Sequence, residues 1–154
     1  MFKLICVTNR ALCRGDFLQR VEQIAGTGID GIILREKDMA EDEYGALSSR
    51  VLRICREKGV ECALHTFVGV ANKVGADAIH LPLSSFLALS KEDKKRFARI
   101  GVSCHSLDDA LRAQNNGCDY VTLGHIFATD CKKGLPGRGL TFLSEICRRA
   151  QVPV

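Results

Sequence analysis

Apolar residues along this chain recur at two spacings. Short apolar runs of strand length occur at Leu4–Thr8, Glu61–Thr66 and Ile100–Ser106. Others carry the helical spacing, as at Phe17, Leu18, Val21, Ile24 and Ala25, and again at Leu107, Ala110, Leu111 and Ala113. A repeat orders these pieces: GIDGIIL from Gly28, GADAIHL from Gly75 and GCDYVTL from Gly117 each read G-x-D followed by an apolar strand that ends in Leu. The leading glycine suits the left-handed turn just past a helix C-terminus.

Each repeat interval holds two strand–helix units, and strands alternating with helices predict a parallel sheet with helical crossovers. Recurrence in every second unit predicts an α/β (β/α)8 TIM barrel, whose interior layers come from alternate strands. A doubly wound sheet is the competing architecture, but no G-x-G-x-x-G follows the first strand. Strand starts fall near residues 4, 31, 62, 78, 100, 120 and 152. A complete barrel has eight strands and usually at least ~200 residues. The expectation is therefore one TIM-barrel domain over 1–154, truncated at the start of strand 7, with the region of strands 7–8 missing. Either the chain is a fragment or another chain covers the open edge.

Composition narrows the class. Hydrophobic residues at 46% and charged residues at 26% are ordinary for a globular domain. Lys plus Arg exceed Asp plus Glu by only four, 22 against 18. The basic excess is spread along the chain, which argues against nucleic acid and allows a modest preference for anionic metabolites. No apolar run approaches the ~18 residues of a membrane span, and Asn9, Arg10 and Arg14 interrupt the N-terminal apolar stretch too early for a signal peptide. A cytoplasmic location is expected, with no membrane partner. None of the eight cysteines forms a C-x-x-C pair, so reduced, mostly core cysteines are expected rather than zinc ligands.

Barrel chemistry sits at the C-terminal strand ends, which here are Thr8-Asn9, Arg35-Glu36-Lys37, His65-Thr66, His80, Ser103-Cys104-His105 and Gly124-His125. In the fifth strand Ile100, Val102 and Cys104 form one apolar face, and Gly101, Ser103 and His105 form the other. His105 is the candidate general acid/base, or else a hydrogen-bonded histidine at a helix start. His125 and His80 read as structural, and the role of His65 stays open. Arg35 and Lys37 share one side of their strand end and suit a carboxylate or phosphate. The alternative is surface ion pairing with Glu36, Asp38 or Glu41. The run KEDKKR at 91–96 reads as a solvated helix face. The segment GHIFATDCKKGLPGRG at 124–139 joins basic residues to glycines that permit positive φ and close approach, although GLPGRG matches no standard phosphate-loop pattern.

These residues resemble a known family. The run GVSCHSLDDALRAQNNGCDYVTLGHIFATDCKKGLPGRG, with LREK earlier, is similar to the thiamine phosphate synthase/TenI barrels over Leu4 to Val154. Within that family the likeness is to TenI-type thiazole tautomerases, whose S-x-H-S…D-Y-V…G-H-x-F-x-T-D-C-K-K-G-x-x-G-R-G stretch is nearly reproduced. The resemblance implies one of two activities. The synthase joins an aminopyrimidine diphosphate to a thiazole phosphate with Mg²⁺, and the tautomerase aromatises a carboxythiazole phosphate by proton transfer without metal.

Against the synthase pattern this chain has Ile33 where Gln precedes L-R-E-K, His65-Thr66 where Asn-Asp follows the third strand, and Ser85 at the metal-binding Asp of H-L-G-Q-E-D. The resemblance then implies a metal-free thiazole tautomerase (an isomerase) with His105 as the proton carrier. It implies Arg35, Lys37, Ser103, Thr129 and Lys132 as substrate contacts, and no cofactor. The alternatives are an Mg²⁺-dependent thiamine phosphate synthase and a non-catalytic thiazole-phosphate binding protein. The expected partner is a small phosphorylated thiazole, and relatives commonly form homodimers.

Overall fold

The strand and helix starts follow the turn chemistry of the repeat. In a computed structural model of the chain, residues 3–129 and 134–154 are described. The first glycine of each G-x-D copy has positive φ, at 84° for Gly28, 66° for Gly75 and 83° for Gly117. The backbone thus reverses there without a Cβ clash. The aspartate of the first and third copies also joins strands: Asp30 Oδ2 accepts the Leu4 N–H at 2.7 Å, and Asp119 Oδ2 accepts the Ile100 N–H at 2.6 Å. The backbone N–H groups of Asp30 and Asp119 return bonds to the Leu4 and Ile100 carbonyls. Each aspartate therefore ties the start of its own strand to the start of the preceding one.

The chain divides into two compact units, residues 1–80 with 95–98, and residues 81–94 with 99–154. In the first, β1 (Ile5–Val7), β2 (Gly31–Leu34), β3 (Glu61–His65) and β4 (Ala78–Pro82) alternate with α1 (Phe17–Ala25), α2 (Glu41–Lys58) and α3 (Val68–Val74). Neighbouring strands are parallel, with Val7 opposite Ile33, Ile33 opposite Ala63 and Ala63 opposite Ala78. Ile33, Ala63 and Ala78 form one buried cluster. Ile32, Leu34, Cys62, Leu64 and Ile79 have the other parity and are also buried, with Val51, Leu52 and Cys55 of α2. Burial on both faces explains why these strands read as continuous apolar runs.

The second unit holds α4 (Leu83–Ala88), most of α5 (Lys91–Lys95), β5 (Arg99–Cys104), α6 (Leu107–Asn115), β6 (Tyr120–Leu123) and α7 (Gly139–Arg149). β5 and β6 are parallel, with Gly101 opposite Tyr120 and Ser103 opposite Thr122. Ile100, Val102 and Cys104 are buried with Ala110 and Ala113 of α6, as their shared parity predicts. The 91–96 run is less passive than expected: Lys94 Nζ lies 4.0 Å over the Phe86 ring and donates to the Asn116 carbonyl at 3.1 Å.

The α/β alternation with parallel strands is as the sequence predicts. Six strands form among the described residues, against the eight of a (β/α)8 barrel. The expected seventh start is corrected: residues 152–154 form no strand, although the Val121 N–H donates to the Pro153 carbonyl at 3.0 Å. Pro153 has no N–H with which to continue a ladder. No helix among the described residues is long and apolar enough to cross a membrane.

Candidate functional site

The first unit gathers its chemistry where β2 and β3 end. Leu34 lies opposite Leu64, so Arg35, the first residue past β2, follows beside His65, the last residue of β3. The buried Tyr44 hydroxyl locks this edge, donating to the Leu34 carbonyl at 2.7 Å and accepting the His65 N–H at 2.9 Å. Burial pushes the Tyr44 phenol far up, so it stays a protonated bridge. Glu36 locks the other side. Its carboxylate is 2% exposed, accepts the Thr8 hydroxyl at 2.6 Å and takes the Arg10 N–H at 2.8 Å. The Thr8 hydroxyl in turn accepts the Arg35 N–H at 2.9 Å.

This leaves Arg35 and Lys37 without an ion pair among the described residues. Glu36 is turned inward, and Asp38 pairs with Arg10 at 2.8 Å. The surface pairing offered as their alternative role does not form. Two uncompensated cations at a strand end suit an anionic ligand.

His65 and Thr66 complete this end. The His65 ring is buried and stacks on His80, with centroids 6.0 Å apart and planes 19° from parallel. Its Nδ1 is 2.6 Å from the Thr66 hydroxyl. The His65 pKa falls to about 4, first because the ring is desolvated and then through His80, Lys37 and Arg35; burial takes His80 down to about 4 as well. Both rings are therefore neutral near pH 7. Thr66 has φ 72°, a left-handed conformation for a β-branched residue, which costs on the order of 1–3 kcal/mol. It is held there by the Thr66 N–H bond to the His80 carbonyl at 3.1 Å and the Val68 N–H bond to its own carbonyl at 2.9 Å.

The second unit places His105 just past β5. The ring is exposed, as a rim position requires, and its Nδ1 is 3.2 Å from the Gly124 carbonyl. A carbonyl only accepts, so in the neutral ring Nδ1 carries the proton and Nε2 keeps a free lone pair. The backbone is fixed as well: Asp109 Oδ2 accepts the His105 N–H at 2.8 Å, and Ser106 Oγ caps α6 by accepting the Asp109 N–H at 3.0 Å. His105 thus stands at a helix start, with its backbone and its Nδ1 both engaged. Ser103 is half-buried on the same face of β5, and Thr129 is exposed. His125 is structural in its contacts, its Nε2 lying 3.2 Å from the Leu135 carbonyl. Lys132 lies outside the described residues, as do Asp130, Cys131 and Lys133. A cleft of about 290 Å³ between α2 and α3, lined by Glu41, Gly45, Ser49 and Lys73 among others, contains none of the expected site residues.

Sequence reasoning missed Tyr44 and Glu36 as the groups that set this geometry. The one hint for Glu36 was a carboxylate flanked by two cations in an otherwise buried strand end.

Comparisons with known proteins give the family. The family model described as thiamine monophosphate synthase matches residues 4–154. This chain belongs to that family. It is 34% identical over 128 residues to thiamine-phosphate synthase of Thermus thermophilus, covering 82% of this chain and 61% of that protein. It is 31% identical over 158 residues to thiamine-phosphate synthase of Clostridium tetani, covering 98% of this chain and 73% of that one. Among solved structures, thiamine phosphate pyrophosphorylase from Pyrococcus furiosus matches with TM-score 0.83 and 27% identity, covering 99% of this chain and 72% of that one. These names support the transferase side of the thiamine phosphate synthase family over the isomerase expected from the TenI likeness.

Proposed function

We propose that this protein is an enzyme of thiamine biosynthesis acting on a phosphorylated thiazole, the substrate class that both activities of its family share. Arg35 and Lys37 supply charge for an anionic group of the substrate, Ser103, Thr129 and Lys132 supply further polar contacts, and His105 carries a proton. The observation that carries this reading is the His105 ring. It is exposed at the end of β5 and held through Nδ1 by the Gly124 carbonyl, with Nε2 left as a base.

The transferase reading, thiamine phosphate synthase, has the support of the relatives' names. That reaction implies Mg²⁺ on a diphosphate, and Mg²⁺ prefers carboxylate oxygens. The positions matching the family's aspartates are Thr66 and Ser85, and no three His, Cys, Asp or Glu side chains gather as a metal site among the described residues. This donor set does not fit the ion, and no step is derived through it.

That misfit favours a second reading, the thiazole tautomerase. His105 Nε2 would take the proton from the ring carbon bearing the carboxylate, and the electron pair would shift through the ring. The imidazolium would then return the proton to the exocyclic carbon, so atoms balance and the aromatic product forms without a co-reactant.

Two assays on one preparation test this. Pyrophosphate release from the aminopyrimidine diphosphate and thiazole phosphate, dependent on Mg²⁺, assigns the transferase. Aromatisation of the carboxythiazole phosphate in EDTA, followed by ultraviolet absorbance, assigns the isomerase. In the reaction that is found, His105→Ala is expected to lower kcat by about 10²-fold or more. Ligand binding with no turnover in either assay, unchanged by that substitution, overturns the enzymatic reading.

A further inference from the structure

We propose that Cys55 and Cys62 form a redox-active thiol pair, which hydrogen peroxide closes to a disulfide that ties the last turn of α2 to β3. The inference does not depend on which reaction the protein catalyses.

Three observations within the first unit place the two sulfurs together. The first is the turn between them. The Val60 N–H donates to the Cys55 carbonyl at 2.9 Å and the Gly59 N–H to the Arg56 carbonyl at 3.2 Å, with Gly59 at φ 68°. These are the two bonds of a Schellman turn, which ends the helix and sends the chain back at once. The second is parity. Cys62 lies opposite Ile32 and alternates with Ala63, so it shares the buried face of Leu64, to which Val51, Leu52 and Cys55 of α2 belong. Cys55 is 1% exposed and Cys62 7%. The third is direct contact: both thiols are free, and they hydrogen-bond each other.

The contact makes the two sulfurs unequal. Burial pushes the thiols of Cys6, Cys104 and Cys118 up, whereas the hydrogen bond from Cys62 holds Cys55 down and raises Cys62 itself. Cys62 is thus the S–H donor and Cys55 the sulfur that ionises first, which makes Cys55 the nucleophile. So deep a site admits a small oxidant, and hydrogen peroxide is close to water in size. The Cys55 thiolate attacks one peroxide oxygen, the S–O bond forms, the O–O bond breaks and hydroxide leaves, giving a sulfenic acid. Cys62 sulfur then attacks Cys55 sulfur. The S–S bond forms, the S–O bond breaks, and the departing hydroxide takes the Cys62 proton as water. Two thiols and one peroxide give one disulfide and two waters. Closure asks only the end of α2 to approach β3, and helix ends yield more readily than helix interiors. The same helix carries the Tyr44 bridge between Leu34 and His65, so the clip would fasten the element that locks the strand ends.

Peptide mapping tests this on the intact, folded protein. Reduced protein is treated with hydrogen peroxide, quenched with catalase, then denatured with N-ethylmaleimide present and digested with trypsin. Cleavage after Arg53, Arg56, Lys58 and Lys73 puts the two cysteines on separate peptides, 54–56 and 59–73. The two are expected as one linked species, about 2 Da below their summed mass, that dithiothreitol separates. Cys62→Ala should leave Cys55 as a sulfenic acid that dimedone traps. Cys55→Ala should slow oxidation of Cys62 by about tenfold or more. Linkage that forms only in urea overturns the proposal. So does recovery of 54–56 and 59–73 fully alkylated while the exposed Cys147 is oxidised. The mapping on wild type decides even where a variant fails to fold.

Discussion

The Thr8 hydroxyl at the end of β1 donates to the buried Glu36 carboxylate at 2.6 Å. Glu36 therefore points away from its two cationic neighbours and holds them from behind. Glu36→Ala would strand the Thr8 hydroxyl and the Arg10 N–H, each at about 1–3 kcal/mol. It should lower the urea midpoint and also weaken phosphate binding through Arg35. Thr8→Val should show the same pattern more weakly. Denaturation curves and a phosphate titration on both variants check this. Lost stability with unchanged phosphate affinity would show that Glu36 does not position the cations.

Local periodicity carried the parts of this fold that local chemistry decides. The six strand starts, the positive-φ glycines at 28, 75 and 117, and the Ile100/Val102/Cys104 face were legible because each depends on neighbours a few residues away. The candidate site was legible only as residue types. Its geometry rests on partners far apart in the chain: Tyr44 with Leu34 and His65, Glu36 with Thr8, and His105 with Gly124. No spacing rule links such positions. The left-handed Thr66 was invisible for a different reason, since a β-branched residue is the last that local preference would place there.

The neutral His65–His80 pair makes stability depend on pH with a definite sign. Both rings titrate at about 4 when folded, against roughly 6.5 in the unfolded chain. Between those values the unfolded state binds more protons, so stability rises with pH there. It is fully present above about 6.5, is lost progressively as pH falls towards 4, and is flat below as far as these two groups are concerned. Urea midpoints at pH 7.5, 6, 5 and 4 should show a loss exceeding about 1 kcal/mol across that window. His65→Gln should flatten the slope in part. A wild-type midpoint that does not change from pH 7.5 to 4 would contradict the buried, neutral pair.

Gly101 sits opposite Tyr120, and the Tyr120 ring occupies the space that a side chain at 101 would need. Gly101→Ala forces that ring aside and should cost about 1–3 kcal/mol through overpacking. Tyr120→Leu removes the obstructing ring, so the alanine should cost much less in that background. A double-mutant cycle by chemical denaturation should return a coupling of about 0.5–3 kcal/mol. Additive effects would mean that Tyr120 yields freely.

Gly137 poses the opposite case, because what surrounds it is backbone. A Cβ there would lie 2.6 Å from the Ile126 carbonyl oxygen and 2.9 Å from the Phe127 carbonyl carbon, and neither can swing away as a side chain can. The segment from 134 to 139 lies against 125–128 through the Arg138 N–H bond to the His125 carbonyl at 3.0 Å and the Gly139 N–H bond to the Ile126 carbonyl at 2.9 Å. His125 Nε2 reaches back to the Leu135 carbonyl at 3.2 Å. Gly137→Ala must break this contact. Phe127 and Leu135 are already exposed, so little apolar area is lost and the global unfolding midpoint should move only slightly. Amide exchange at Arg138 and Gly139 should accelerate. Turnover should fall by about 10²-fold if Thr129, two residues beyond Phe127, loses its position, since misplacement by about 1 Å is enough for that. Unchanged exchange at Arg138 and Gly139 would show that the glycine is not what holds the two segments together.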